Sequence, residues 1–202
     1  MDNITVYYDG DYLDDGYLGI YSVVKSSSTN SKAVVQNSVI NANVPAVSGG
    51  YSPIRGPGVS LINNTINVTE KYAVGDSPSL SAITQGTHYP ILIDNNNITV
   101  IGESDLVGII FDESVTDSSI TNNNITIIST EGTATGVELN GNDNTVTDNY
   151  IIANDKKGDD AVTVTGENNV VKNNKPSFTI TDETYGDFFD DECLLKESYN
   201  NT

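Results

Sequence analysis

Tryptophan is absent from this chain, and histidine, cysteine, arginine and methionine occur once each, at His88, Cys193, Arg55 and Met1. Catalysis or metal binding that recruits several imidazoles or thiols has almost nothing to draw on. A lone Cys193 cannot close an internal disulfide, and no histidine lies near it in sequence to lower its pKa, so it reads as an unpaired thiol of the tail. Positive charge is scarce as well: 9 Lys and Arg stand against 28 Asp and Glu, a formal charge of -19. Such a field repels phosphate backbones and anionic headgroups alike, so nucleic acid is not expected as a partner, nor is electrostatic attachment to a membrane. No apolar run approaches the ~20 residues that span a bilayer, so direct membrane insertion is not expected either. Met1 leads into Asp-Asn-Ile-Thr rather than a basic and apolar leader, and the chain therefore reads as intracellular or as an excised piece. Sequons at Asn3, Asn63, Asn67, Asn97, Asn124 and Asn200 favour an excised extracellular segment. With 37% hydrophobic and 18% charged residues, the 202-residue chain is too apolar for a disordered acidic tail, and its length fits one ordinary domain or one elongated repeat domain.

What is present is Asn, Thr, Val and Ile, arranged in a repeat. Asn recurs at Asn37, Asn64, Asn96, Asn123, Asn149 and Asn174, in steps of about 25 to about 32 residues, and all but the last are followed two positions on by Val or Ile. A second register, Gly108-Ile-Ile-Phe, Gly136-Val-Glu-Leu and Ala161-Val-Thr-Val, opens each time on a small residue. One unit reads Gly136 to Leu139, Asn144 to Thr147 and Tyr150 to Ala153, three short β-branched runs broken by Asn, Asp and Gly. A unit of this size cannot bury its own apolar face, so it must stack on its neighbours, and strands repeated in one direction form long parallel sheets. The expected fold is all-β, a β-solenoid of about six coils of roughly 25 to 32 residues, near 30 Å long at about 4.8 Å per coil. Asn suits the corners, because it tolerates the left-handed conformation and its amide can hydrogen-bond along the stack. Ile66, Ile98, Ile125 and Ile151 are expected to pile into one apolar column.

The Asn-Asn-x-Ile corners, Gly-Val-Glu-Leu-x-Gly-x-x-Asn-Thr-Val, Gly-Asp-Asp-Ala-Val and the segment Ile180 to Asp190 resemble the right-handed parallel β-helix of pectin-lyase-like architecture. More narrowly, they resemble adhesin-like surface proteins of methanogenic archaea, the coils covering about Leu18 to Lys175. The resemblance implies right-handedness, an extracellular, wall-anchored parent with further domains, and adhesion to cell-surface glycans or proteins of other cells.

Residues 1 to 17 read as a truncated first coil or N-terminal cap, 18 to 175 as the coils, and 176 to 202 as a C-terminal cap or linker. Asn3 to Tyr8 matches Asn97 to Val100 and is expected as the third strand of a coil. Two segments depart from the repeat, the Gly/Pro-rich 48 to 58 and the insertion 69 to 81, and are expected as contact-presenting loops.

A polysaccharide lyase or hydrolase of this architecture would need Arg or Lys beside carboxylates, often with Ca²⁺, or an Asp cluster with His and basic partners. Arg55 is isolated in a Gly/Pro loop, His88 stands alone, and Asp159-Asp160 reads as a solvated turn. No catalytic residue and no obligatory cofactor is expected. Asp9, Asp11, Asp14 and Asp15 are the candidates for holding Ca²⁺, but they miss the alternate spacing and distal Glu of a helix-loop-helix site, and an acidic surface turn is the favoured reading. Tyr7, Tyr8, Tyr12, Tyr17, Tyr51 and Tyr72, with Arg55 and His88, are the candidate binding residues, since exposed phenols stack on sugars and anchor partners; for the N-terminal tyrosines burial in first-coil packing is the favoured alternative, because strand alternation turns at least half of them inward. A passive spacer is the competing reading.

Overall fold

The computed structural model describes residues 1–10, 33–86, 89–155 and 160–175, with the backbone alone at 24–25, 180–182 and 188–189. The fold is all-β, a right-handed parallel β-helix, with no helix among the described residues. Numbered in chain order, its strands fall into three stacks. The first holds β3 (Ala33–Gln36), β6 (Val59–Ile62), β9 (Leu92–Asp94), β12 (Ser119–Thr121), β15 (Thr145–Thr147), β18 (Val170–Lys172) and β20 (Phe188–Phe189). The second holds β1 (Thr5–Asp9), β4 (Val39–Ser48), β7 (Thr65–Val74), β10 (Asn97–Gly102), β13 (Asn124–Ser129) and β16 (Tyr150–Asn154). The third holds β2 (Val24–Lys25), β5 (Ile54–Arg55), β8 (Pro78–Gln85), β11 (Asp105–Phe111), β14 (Ala134–Leu139), β17 (Asp160–Val164) and β19 (Ile180–Asp182). Every pairing within a stack is parallel. The recurring Asn corners bound about 5 turns, one fewer than a count of corners suggests, because each turn lies between two of them.

Each corner uses two residues with separate jobs. The first takes a left-handed backbone, at Asn37, Asn63, Asn95, Asn122, Asp148 and Asn173, with φ between 53° and 58°. The second is buried and forms the ladder: Asn64, Asn96, Asn123, Asn149 and Asn174. The sequence reading merged these two roles. Asn37 stands in the outer, left-handed row, and its ladder position is taken by Ser38, whose N–H donates to Asn64 Oδ1 at 3.0 Å. Going up the stack, the N–H groups of Asn64, Asn96, Asn123 and Asn149 donate to Oδ1 of Asn96, Asn123, Asn149 and Asn174 at 2.8 to 2.9 Å. Each Nδ2 also donates back to a carbonyl of the coil before, as Asn123 does to Ile93 O at 2.9 Å. At the first corner the Asn37 amide donates to Asp2 Oδ1 at 2.8 Å and, as the largest influence, holds that carboxyl below its usual range.

A second ladder, not legible as such in the repeat of Asn positions, precedes the first stack. Asp117, Asp143 and Asn168 are left-handed there, and Ser118, Asn144 and Asn169 are the buried partners. The N–H of Ile91 donates to Ser118 Oγ, that of Ser118 to Asn144 Oδ1, and that of Asn144 to Asn169 Oδ1, all at 2.9 to 3.0 Å. Below Ile91 the column holds Val59, which finds no ladder side chain above it. Its N–H donates instead to Oε1 of the buried Gln85, at 3.2 Å.

Inside, equivalent positions pile into dry columns. Ile40, Ile66, Ile98, Ile125 and Ile151 are in direct register and buried, so the expected isoleucine column is present with Ile40 beneath it. Gly108 and Gly136, which open two units of the second register, face this column. A Cβ on Gly136 would stand 2.3 Å from Ile151 Cγ2 and 2.5 Å from Ala161 O, a clash that explains why only Gly fits.

The two irregular segments are more ordered than loops. β7 runs on to Val74 beside β4, turns at Gly75 to Ser77, and returns as β8, which pairs antiparallel with β4 at Val47 and Ser48. Register between β4 and β7 shifts between Val44 and Ala46, where Pro45 lacks the N–H for the ladder. Within 48 to 58, Tyr51 bridges to Leu80 and β5 pairs with β8. β1 lies beneath β4, in the stack expected for it. Past Pro176 the backbone adds β19 and β20 in parallel to two stacks, so the strand pattern outlasts the repeat read in the sequence.

Candidate functional site

The bottom of the second stack carries a polar grid. β1, β4 and β7 are in register, so Tyr7, Asn41 and Asn67 form one outward row and Asp9, Asn43 and Thr69 the next. Strand alternation sends all six side chains away from the core. They line an open groove of about 390 Å³, with Tyr8 along its edge. Tyr7 is 80% exposed and presents a ring to solvent, while Tyr8, one residue on, is half-buried and packs against the core.

Hydrogen bonds hold the grid. Asn67 Nδ2 donates to Asn41 Oδ1 at 2.8 Å, and Asn43 Nδ2 donates to Asp9 Oδ1 at 3.0 Å. Lys71, two residues beyond Thr69 on the outward side of β7, places Nζ 2.9 Å from the same Asp9 oxygen. The amides are thereby fixed in orientation, since each Oδ1 that accepts identifies its Nδ2 as a donor pointed elsewhere. An aromatic face beside oriented amides, a carboxylate and an ammonium is the chemistry that holds a sugar ring: C–H groups on the phenol, hydroxyls on the fixed donors and acceptors.

The remaining candidates are scattered. Tyr51 is 4% exposed, and burial, with the nearby Tyr8 phenol adding to it, pushes its hydroxyl well above the usual tyrosine value. It walls a second cleft of about 140 Å³, together with Arg55, Ser79, Ser81, Thr84 and Ile110. Tyr72 is 37% exposed on the β7 extension and lines neither hollow. Tyr12, Tyr17, His88, Asp11, Asp14, Asp15, Asp159, Cys193 and Asn200 lie outside the described residues. Asp160 opens β17 in register with Thr135, and it does not line the cleft of Arg55. Among the described residues no group of His, Cys, Asp or Glu is arranged to hold a metal, and Asp9 is engaged by Asn43 and Lys71.

The sequons sit on the outside of the coils. Asn3, Asn63, Asn97 and Asn124 are exposed and Asn67 is half-buried, but several of their amides serve ladders, Asn63 with Asn37 and Asn124 with Asn97.

Sequence reasoning singled out Tyr7, Tyr8 and Asp9 but not Asn41, Asn43, Thr69 or Lys71. One signal was available: the alternation Val39-Ile40-Asn41-Ala42-Asn43 sends both amides outward once Ile40 is taken as core. What places them opposite Tyr7 and Asp9 is register across 34 residues, which no local pattern carries.

No protein family, curated protein or solved structure matches this chain.

Proposed function

We propose that this chain is a non-catalytic, extracellular, adhesin-like domain, excised from a longer surface protein, that binds cell-surface glycans on the Tyr7 groove. The observation that supports the reading is the two-row grid of Tyr7, Asn41, Asn67, Asp9, Asn43 and Thr69, set on three hydrogen-bonded strands. A site on paired strands is preorganised, so little conformational entropy is lost on binding. An acidic exterior with a formal charge of -19 keeps such a domain soluble and apart from other acidic surfaces, leaving short-range stacking and hydrogen bonding to select the partner.

The test is a glycan panel and intact microbial cells probed with labelled domain, followed by Tyr7→Ala. Saturable binding that falls at least tenfold in Tyr7→Ala, with an unchanged melting temperature, is the expected result. No binding up to millimolar concentration, where a single contact is worth less than about 4 kcal/mol, would make the domain a spacer. Release of sugar product would make it an enzyme.

A further inference from the structure

The second cleft has chemistry of the opposite kind. Arg55 is exposed at its rim, and neither Asp nor Glu lines it. Among the described residues the ion pair is that of Lys71 with Asp9, and no carboxylate closes on Arg55. In a chain where 28 acidic side chains face 9 basic ones, a guanidinium without an acid beside it needs a reason. Lys25, on β2, stands in backbone register with Arg55, so two of those few cations occupy adjacent rungs. The next rung holds Thr84, in register with Arg55 on its other side.

Around the guanidinium the cleft offers hydroxyls and a short apolar wall. Ser81 Oγ lies 2.9 Å from Thr84 Oγ1 and 3.3 Å from Tyr51 O, so this hydroxyl pair is already oriented. Ser79 lies two residues before Ser81 on the same strand, and Ile110 is in register with Thr84. We infer that this cleft takes one terminal sugar bearing a carboxylate, its acid on Arg55, its hydroxyls on Ser79, Ser81 and Thr84, and a ring face on Ile110. A planar guanidinium matches a carboxylate in a bidentate fork, whereas a neutral sugar would cover the charge without compensating it. At about 140 Å³ the cleft is smaller than an ordinary ligand pocket, which limits it to one ring at most and excludes a chain. The charge of -19 repels a polyanionic chain along its whole length and a single acid far less, so one carboxylate held at Arg55 is the acidic ligand this field opposes least.

The inference rests on the domain being glycan-binding, but on a surface separate from the Tyr7 groove. The full chain, labelled with nitrogen-15, is titrated with the methyl glycosides of N-acetylneuraminic acid, glucuronic acid and glucose, and with acetate. The expected result is saturable shifts at Ser79, Ser81 and Thr84 with at least one sugar acid, at least tenfold tighter than with methyl glucoside or acetate. Arg55→Gln loses tenfold or more of that affinity with the remaining spectrum unchanged, and Tyr7→Ala keeps it. Equal affinity for glucoside, equal affinity for acetate, or full binding by Arg55→Gln would each overturn the inference. If the acids bind here while Tyr7→Ala leaves glycan-panel binding intact, the groove reading fails and this one stands.

Discussion

Asn123 shows how much one side chain carries. Its Oδ1 accepts from both the N–H and Nδ2 of Asn96, its Nδ2 reaches Ile93 O, Thr121 O and Asn149 Oδ1, and it is 2% exposed. Removing it strands buried donors and acceptors in two neighbouring coils, each costing about 1 to 3 kcal/mol. Asn123→Ala is therefore expected to lose at least about 3 kcal/mol in urea unfolding. The residue before it behaves differently. Asn122 has φ 56° and is exposed, so Asn122→Gly should be close to neutral while Asn122→Val loses about 1 to 2 kcal/mol to a left-handed backbone that a branched side chain resists. The same measurement separates the conformational job from the ladder job. Tyr51 gives a residue-scale pH effect: its folded pKa is raised by burial, so the neutral phenol is what the fold holds. The unfolded phenol ionises near pH 10 and the folded one does not, so stability is unaffected below about pH 10 and falls as pH rises beyond it. Tyr51→Phe should remove that part of the alkaline loss.

At the scale of the strand, Gly136 is the sharpest constraint. A side chain there meets Ile151 on one side and the backbone carbonyl of Ala161 on the other, and backbone cannot yield as a flexible side chain can. Gly136→Val should destabilise by about 3 kcal/mol or more in urea unfolding. This position also marks what was readable in the chain. Small residues at Gly108, Gly136 and Ala161, and isoleucine two positions after Asn64, Asn96, Asn123 and Asn149, are local and periodic, so the three stacks and the Ile66 to Ile151 column could be foreseen. The pairing of roles in Asn37-Ser38 could not, because only the register shows that Ser38 is the residue aligned with Asn64. Nor could the extension of β7, since Glu70 to Val74 carries no clean alternation and its strand character comes from pairing with β4. The groove was half legible: β1 supplied Tyr7 and Asp9 to the reading, while β4 and β7 supplied partners from 34 and more residues away.

As a whole molecule the solenoid is built from nearest-neighbour contacts, each coil touching those above and below. Protection against amide exchange should accordingly be graded, greatest for β4, β7, β10 and β13, each flanked by two described strands of the second stack, and least for β1 and β16, the outermost described strands of that stack. Uniform protection across these strands would argue for a single all-or-none unit.

The Asn ladder has a direction. Between ladder amides the bonds run one way, the N–H and Nδ2 of Asn64, Asn96, Asn123 and Asn149 donating to Oδ1 of the ladder Asn in the coil that follows, while each Nδ2 also reaches a carbonyl of the coil before. During synthesis the N-terminus emerges first, so each coil leaves the ribosome with donors whose acceptor has not yet been translated. Completion of any coil thus waits on the next, and the domain closes from the late end. Truncation should feel the same polarity at the ladder: losing the following coil takes the Oδ1 acceptor from a buried N–H, whereas losing the preceding coil takes a donor from Oδ1 and a carbonyl from Nδ2.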